Sequence, residues 1–223
     1  MAYTLQSADA LFPTPLLRFE IEDAETLNRA LLKEIAKRRA AEQGTVKSNR
    51  KGWHSDTDLF ERTEPAQAQL AKMLVQMLAQ ATRHVAPNAD MSGVELVADG
   101  WINVNPPGAY NAPHDHLGAF WSGTYYVNMP EGGGGDERAG AIEFLSPHKP
   151  LPGVGSFRAP ITADKVHFRP KSGTVLIFPA TIVHWVHPND GKDERVTIAF
   201  NARFRRKRGS AILRPAGGAP LRS

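Results

Sequence analysis

The chain has 223 residues, of which 41% are hydrophobic and 22% are charged, and its formal net charge is +4. This length fits one domain, or one domain with an added lobe, and the composition is that of a globular protein with a sizeable core. The sequence contains no cysteine, which excludes disulfides, iron–sulfur clusters and thiolate metal sites. Any metal ion must therefore be held by His, Asp or Glu.

We expect the protein to be soluble and cytoplasmic. Residues 1–10 lack the basic start and the apolar run of a signal peptide. No apolar segment approaches the ~20 residues that a helix needs to cross a bilayer. A membrane partner is therefore not expected.

Positive charge is concentrated near the C-terminal end, at Arg203, Arg205, Arg206, Lys207 and Arg208. A basic run of this kind can bind the phosphate backbone of a nucleic acid. Because only Phe204 is interleaved with it, we interpret residues 206–223 as a solvated basic tail. A nucleic-acid partner is not expected.

The first part of the chain has the periodicity of helices. A first helix is predicted from Ala24 to Arg38, with Asp23 as its N-cap. A second is predicted to begin at Thr63, with Pro65 in its first turn, and to end at the segment APNAD. Their apolar stripes are Leu27, Leu31 and Ile35 in the first helix, and Leu70, Met73, Leu74, Met77, Leu78 and Ala81 in the second. Residues 1–92 are thus expected to form a mainly helical lobe.

From residue 93 onward, short strand-like runs alternate with Gly- and Pro-rich connections. The runs are VELVA, WINVN, SGTYYVN, AIEFL, VHF, TVLIFP, IVHWV and RVTIAFNARF. Asp99 and Gly100, between the first two runs, are typical of a two-residue hairpin turn. About eight short strands predict a jelly-roll, or a related closed sandwich, over residues 93–205. Residues 132–135, all glycine, are predicted to form a flexible hairpin loop and lack the ending of a phosphate-binding loop.

The segment PHDH places two imidazoles close together. If the segment is extended, His114 and His116 point to one face and Asp115 points to the other. Two imidazoles on one face near the end of a strand can bind one cation from one side. A polar surface strand would have the same pattern, so the pair alone leaves both interpretations open.

A third histidine lies in a later apolar run. The alternation of His184 with Ile182 and Val186 predicts that its side chain faces inward. A single histidine in such a run is usually a hydrogen-bonded core residue, but the earlier pair favours a metal-ligand role. His187 falls on the opposite face, next to Pro188, and is interpreted as a rim or surface residue.

The run RVTIAFN begins with an arginine on its polar face. That face carries Arg195, Thr197, Ala199 and Asn201, and the apolar face carries Val196, Ile198 and Phe200. An arginine followed at i+2 by threonine can bind a carboxylate through its planar fork and one hydroxyl hydrogen bond. An ordinary surface arginine is the alternative. The position of Arg195 at the start of the strand after His184 argues against that alternative.

Together and in this order, the motifs resemble those of the Fe(II)- and 2-oxoglutarate-dependent oxygenases. That superfamily has a His pair or a His–carboxylate pair, a distal His, and about ten residues later an Arg with Ser or Thr at i+2. The similarity is closer to a bacterial and phage group of these enzymes and covers nearly the whole chain. It is carried by LFPTPLLRFEI, GWHSDTDL, WINVNPPGAYNAPHDHLGAFWSGTYYVNMP, LIFPATIVHWVHP and RVTIAFN. The resemblance implies a double-stranded β-helix, which agrees with the strand-rich half.

The resemblance also implies cofactors and residue roles. The implied ligands of Fe(II) are His114, His116 and His184. The far carboxylate of 2-oxoglutarate would pair with Arg195, assisted by Thr197 and by Tyr126, although Tyr126 also fits a core position. The implied reaction hydroxylates an unidentified substrate and releases succinate and CO2, with no catalytic residue beyond the metal ligands.

One position departs from the usual pattern. The residue at i+2 after the first histidine is ordinarily a carboxylate, whereas this chain has His116. Three neutral imidazoles leave a ferrous site more positive than two imidazoles and one carboxylate. Asp115 could serve instead only if a bulge rotated it inward, so we favour His116.

Other polar and aromatic residues lie near these motifs. Trp101, Asn103 and Asn105 alternate along the strand before the His pair and are candidate substrate-binding residues. The two asparagines could equally bind the other end of the cosubstrate. Trp53 and His54 lie in the helical part, where they either cover the site or pack the lobe.

Two other functions fit the same residues. One is a cupin-like enzyme that holds iron or zinc by three histidines without 2-oxoglutarate, with Arg195 binding the carboxylate of the substrate. The other is a non-enzymatic β-sandwich whose basic segment contacts nucleic acid. We expect a small-molecule or peptide substrate, which the sequence does not identify, and a homodimer is left open.

Overall fold

The protein is described here by a computed structural model that covers residues 3–8, 10–130, 136–148 and 162–207. Within these residues the chain forms two α-helices, a short 3-10 helix and eleven β-strands. The helices are α1 (Ala24–Ala41) and α2 (Pro65–Val85), with the 3-10 helix at Leu59–Glu61 between them. The strands are β1 (Leu17–Glu20), β2 (Asn49–Arg50), β3 (Trp53–His54), β4 (Val94–Asn105), β5 (Tyr110–His114), β6 (Trp121–Asn128), β7 (Ile142–Leu145), β8 (Lys165–Phe168), β9 (Thr174–Pro179), β10 (His184–Val186) and β11 (Arg195–Arg206).

The named strands form two sheets with antiparallel pairing. The larger sheet has the order β1-β9-β6-β11-β4-β3, and the smaller sheet has the order β2-β5-β10-β7-β8. Tyr126 and Leu176 of the larger sheet share one apolar cluster with Ile142 and Phe144 of the smaller sheet, so these two faces pack together. The other face of the larger sheet packs against the helices, through residues such as Ile198. The prediction of a mostly β fold with N-terminal helices is confirmed.

The helices occupy the predicted segments, and their two N-termini differ in how they are capped. Asp23 precedes α1 in a left-handed conformation, with φ of 49°, and its side chain makes no capping hydrogen bond. The start of α2 is instead capped by Glu34 of α1, which accepts hydrogen bonds from the N–H groups of Ala66 and Gln67 at 2.9 and 3.1 Å. A carboxylate there also favours the helix dipole. Among the described residues, no helix combines the length and the apolar character that spanning a bilayer requires.

The hairpin predicted at Asp99 and Gly100 is wrong. Both residues lie inside the continuous strand β4, which pairs with β11 from Asn105 opposite Arg195 to Val94 opposite Arg206. A Cβ added to Gly100 would meet Leu59 Cδ2 at 2.9 Å. Gly100 is therefore explained by the close approach of the 3-10 helix to the sheet, and not by a turn.

Three strands in the first 92 residues were not anticipated. β1 pairs with β9 and β3 pairs with β4 in the larger sheet, while β2 pairs with β5 in the smaller one. β2 and β3 have two residues each, which is too short to produce an alternating pattern. The glycine run at 132–135, predicted to be a flexible loop, lies outside the described residues.

The basic run is part of the sheet up to Arg206. Arg203 pairs with Asp99 at 3.0 Å, and Arg205 pairs with Glu95 at 2.8 Å, both across the β4–β11 ladder. These cations therefore have partners on their own sheet, which agrees with a solvated surface. Arg208 lies outside the described residues.

Replacing Gly100 with alanine should destabilise the fold. The new Cβ would lie 2.9 Å from Leu59 Cδ2 and 3.1 Å from the Ala199 carbonyl oxygen, whereas carbon atoms pack best at roughly 3.5–4.0 Å. Overpacking of this kind typically costs about 1–3 kcal/mol. The measurement is the free energy of unfolding in urea.

Leu59→Val provides the matched control, because it shortens the side chain nearest to the added methyl group. In a double-mutant cycle the combined cost should be smaller than the sum of the single costs. A Gly100→Ala protein as stable as the parent would contradict the proposed close approach.

Candidate metal centre

The structure brings the three predicted histidines together. One ring nitrogen from each of His114, His116 and His184 lies within 4.8 Å of the others. His114 ends β5 and pairs with His184, which begins β10, so the sheet register places two imidazoles side by side. His116 follows β5 in a turn and is held there by its N–H, which donates to the Ala180 carbonyl at 2.9 Å.

Two of the imidazoles are oriented by the backbone. Nδ1 of His114 lies 2.7 Å from the Ala112 carbonyl oxygen, and Nδ1 of His184 lies 3.0 Å from that of Ile182. A proton on each Nδ1 satisfies these contacts and leaves Nε2 with a free lone pair. This is the usual arrangement of metal-binding histidines, in which the outer hydrogen bond fixes the tautomer.

All three histidines favour the neutral form. Burial lowers the pKa of His114, lowers that of His116 to about 4, and lowers that of His184 to about 3. The proximity of the other imidazoles adds to the lowering for His116 and His184. At neutral pH the cluster is therefore uncharged, which is the form that binds a metal ion.

Asp115 is not part of this cluster. Among the described residues, the side chains that converge on one point are the three histidines alone. The alternation predicted for PHDH places Asp115 away from them, although its negative charge acts to raise the pKa values of both neighbours. A carboxylate ligand from this position would require a different backbone path.

The interpretation of His187 as a rim or surface residue is wrong. His187 is 7% exposed, and its Nε2 lies 3.2 Å from Glu143 Oε2. Trp185 donates to the other oxygen of the same carboxylate at 2.9 Å. These side chains face away from the three histidines, as the alternation predicted, but the neighbouring strand β7 covers them.

Arg195 is buried, and its side chain contacts two neutral oxygens. Arg195 is 2% exposed. Its Nε donates a hydrogen bond to the Gly140 carbonyl at 3.1 Å, and its Nη1 donates one to Thr197 Oγ1 at 3.4 Å. The guanidinium carbon lies 5.3 Å from the centre of the Tyr126 ring. Among the described residues no carboxylate forms an ion pair with it. Since arginine stays charged in proteins, the cavity beside it favours an anion.

The cavity between the sheets contains both the histidines and the arginine. The cavity is partly open, and the space not filled by protein atoms is roughly 420 Å³, a figure that includes open solvent. Beyond the predicted Arg195 and Thr197, polar side chains around it are Ser48, Asn103, Asn111, Ser122 and Thr124. Ser48, Asn111, Ser122 and Thr124 were not predicted as site residues, because a single serine, threonine or asparagine in a strand carries no distinctive spacing.

The candidate substrate-binding residues divide into two groups. Trp101 and Asn103 line the cavity, and the Asn103 side-chain oxygen is buried without a hydrogen-bond partner. Asn105 instead donates to Asn111 Oδ1 at 3.1 Å and does not line the cavity. Its direct contact with a ligand is therefore not supported.

The two residues of β3, Trp53 and His54, have different surroundings. His54 stacks on Trp101, with ring centres 5.5 Å apart and an interplanar angle of 13°. It therefore supports a wall of the cavity from behind. Trp53 donates to the Glu42 carbonyl at 3.1 Å and packs against the helical segment.

Comparison with known proteins agrees with this geometry. Residues 99–201 match the model of a family described as "Putative 2OG-Fe(II) oxygenase". This segment contains all three histidines, Arg195 and Thr197. No curated protein matches the chain.

Several solved structures share the fold. A prolyl-4-hydroxylase from Pseudomonas putida superposes with a TM-score of 0.57 at 18% identity, covering 86% of this chain and 92% of that one. AviO1 from Streptomyces viridochromogenes has a TM-score of 0.57 at 14% identity, covering 89% and 92%. HygX from Streptomyces hygroscopicus, with nickel and 2-oxoglutarate bound, has a TM-score of 0.57 at 12% identity, covering 85% and 83%.

Removing any one of the three imidazoles should sharply weaken metal binding. The parent should bind about one Mn²⁺ or Zn²⁺ ion per chain, and His114→Ala, His116→Ala and His184→Ala should each lose most of that affinity. Three ligands are close to the minimum for a stable site. Calorimetric titration with each ion measures the effect.

Asp115→Ala and His187→Ala are the matched controls, because neither side chain joins the cluster. Both variants should bind the metal ion as the parent does, even though His187→Ala removes a buried contact and lowers stability. Loss of the metal in Asp115→Ala, together with its retention in His116→Ala, would show that the ligand set is wrong.

Proposed function

We propose that the chain is a 2OG-Fe(II) oxygenase, a dioxygenase that hydroxylates its substrate and releases succinate and CO2; residues 99–201, somewhat under half of the chain, match the model of that family. As such an enzyme it is an oxidoreductase that uses Fe(II) and 2-oxoglutarate, which the description of the matched family names. The observation that carries the proposal is a buried guanidinium, which has no counter-ion among the described residues, in the same cavity as three converging imidazoles. A non-enzymatic binding protein does not agree with the family match.

We also propose that the two sheets form a double-stranded β-helix. Its support is the pair of facing antiparallel sheets and their likeness to solved oxygenases. We also propose that residues 1–223 form a single domain. β1, β2 and β3, from the first 92 residues, extend both sheets, so the helical segment shares its hydrogen bonds with the strand-rich part.

The three histidines suit a ferrous ion. Imidazole nitrogen is a good ligand for divalent iron, the rings are neutral, and the backbone leaves Nε2 of His114 and His184 free. Their burial restricts the access of water. His114, His116 and His184 would therefore hold Fe(II).

Arg195 suits the far carboxylate of 2-oxoglutarate. A carboxylate would satisfy the N–H groups of the guanidinium that the Gly140 carbonyl and Thr197 leave unused. Thr197 can add a hydroxyl hydrogen bond. Tyr126 packs its ring beside the guanidinium, and burial raises the pKa of its phenol to about 12. Tyr126 therefore stays protonated and can donate to the same carboxylate.

The protein positions the reactants and keeps water away from them. The iron and cosubstrate, when bound, supply the oxidation of a C–H bond. Arg195 would hold one end of the cosubstrate and the histidine cluster the other. The β4–β11 pairing of the larger sheet positions Arg195, and the β5–β10 pairing of the smaller sheet positions His114 and His184. Holding the reactants in a fixed geometry can supply a large part of an enzyme's rate enhancement.

The substrate is expected to be a peptide or a small molecule. Asn103 is 6% exposed, and its unpartnered oxygen can accept a hydrogen bond from the substrate or from a cosubstrate bound at the metal. Trp101 lies beside His116, with ring centres 5.6 Å apart, and offers an apolar wall next to the metal. Cytoplasmic location and a homodimer remain predictions from the sequence.

Arg195→Ala should weaken 2-oxoglutarate binding at least ~10-fold, because each charged hydrogen bond contributes roughly 1.5–3 kcal/mol and 1.4 kcal/mol is a factor of ten. Arg195→Lys should recover only part of the affinity, since an ammonium lacks the planar fork. Thr197→Val should cause a smaller loss. The measurement is calorimetric titration of the Mn²⁺-loaded protein with 2-oxoglutarate.

Metal affinity serves as the internal control in this series and should be unchanged, because Arg195 is not a ligand. Equal 2-oxoglutarate affinity in the parent and in Arg195→Ala would remove the cosubstrate assignment. The three-histidine metalloenzyme without 2-oxoglutarate would then be the better interpretation.

Turnover of 2-oxoglutarate distinguishes the proposed oxygenase directly from a three-histidine metalloenzyme that does not use 2-oxoglutarate. Supplied with Fe(II), ascorbate and oxygen, the parent should convert 2-oxoglutarate to succinate at a slow rate even without its substrate, and His184→Ala should not. Chromatographic detection of succinate checks the outcome. An iron-loaded parent that binds 2-oxoglutarate but forms no succinate with any candidate peptide or metabolite would argue against the reaction.

A further inference from the structure

The His116 ring lacks the backbone anchor that the other two imidazoles have. Nδ1 of His114 and of His184 each contacts the carbonyl oxygen two residues earlier, at 2.7 and 3.0 Å. Nδ1 of His116 instead faces the side-chain amide of Asn201, with 3.4 Å between Nδ1 and Nδ2. Asn201 lies on β11 of the larger sheet, so this contact reaches across the cavity from the opposite sheet.

The amide in this orientation does not suit metal binding through Nε2 of His116. An NH2 group facing Nδ1 requires Nδ1 to accept, and a neutral imidazole that accepts at Nδ1 carries its proton on Nε2. Asn201 Oδ1 is at the same time buried without a hydrogen-bond partner, which is costly for a polar atom. A half-turn of the amide exchanges its nitrogen and oxygen with almost no change of shape.

We propose that Asn201 is a positioning residue of the metal centre, and that its Oδ1 accepts the proton of His116 Nδ1. The half-turn satisfies the buried oxygen and leaves Nε2 of His116 free for the metal ion. It gives His116 the support that the Ala112 and Ile182 carbonyls give to the other two ligands. The inference rests on the proposed function, since it presupposes that the cluster binds metal.

Asn201 connects the metal centre to β11, the strand that also carries Arg195. Arg195 and Asn201 lie on the same face of β11, six residues apart in a strand that is paired on both sides. A shift of β11 would therefore displace both the carboxylate site and the partner of one ligand. His116 also stands where a carboxylate is usual, and the basicity of an imidazole ligand depends on its outer hydrogen bond.

Zinc affinity of three variants tests the role. Asn201→Leu, which keeps the approximate shape but removes the acceptor, should bind Zn²⁺ about 10–100-fold more weakly than the parent. Asn201→Asp should match or exceed the parent, because a carboxylate oxygen can accept from Nδ1–H. Arg203→Ala, at an exposed position two residues along the same strand, should be unchanged.

The tautomer of His116 provides a readout that a purely structural role would not move. In the ¹⁵N-labelled, Zn²⁺-loaded parent, long-range ¹H–¹⁵N spectra should show the proton on Nδ1 and the metal on Nε2. A proton on Nε2, or an Asn201→Leu variant with parental affinity, would overturn the proposal. If Asn201→Leu does not fold, the Asn201→Asp affinity and the parental tautomer decide it. A parent that binds no zinc would instead refute the metal centre itself.

Discussion

Burying the guanidinium of Arg195 between two sheets removes a charge from water, at a cost on the order of several kcal/mol. No carboxylate of the described residues offsets this cost, and two neutral oxygens, of Gly140 and Thr197, do so only partly. A stable protein can hold such a group when the surrounding strands fix it and when a ligand satisfies it. The cavity next to Arg195 is therefore organised to receive an anion.

A different strand ladder, in the smaller sheet, determines what stands opposite Arg195. The pairing of His114 with His184 places two imidazoles on neighbouring strands, and the turn after β5 brings His116 to the same point. Burial keeps the three rings neutral. An end suited to an anion and an end suited to a cation thus line one cavity. A dicarboxylic keto acid that bridges a metal ion and an arginine satisfies both ends at once.

Much of this arrangement could be predicted from the sequence, because strand alternation has a strict period of two. His114 and His116, the inward face of His184, and the shared face of Arg195 and Thr197 all follow from that period. Where burial depends on a neighbouring strand, the prediction failed. His187 faces away as expected, but Glu143 and Trp185 cover it. Alternation gives the face of a side chain and does not tell whether that face is solvated.

Features that depend on contacts between distant segments could not be predicted. Gly100 was interpreted as a turn residue, because the approach of Leu59 to the sheet leaves no local pattern. Asn201 was placed on the correct face, but its contact with His116 spans 85 residues of sequence. The two-residue strands β2 and β3 exist only through their partners in the sheets.

In the proposed function, one cavity binds a metal ion at the histidines and a carboxylate at Arg195. A crystal structure of the protein grown with Mn²⁺ and 2-oxoglutarate in the absence of oxygen tests it most directly. We predict one anomalous peak within bonding distance of His114, His116 and His184, and ligand density that extends from the metal to the Arg195 guanidinium. A metal peak elsewhere, or a bound keto acid whose far carboxylate does not contact Arg195, would contradict the account.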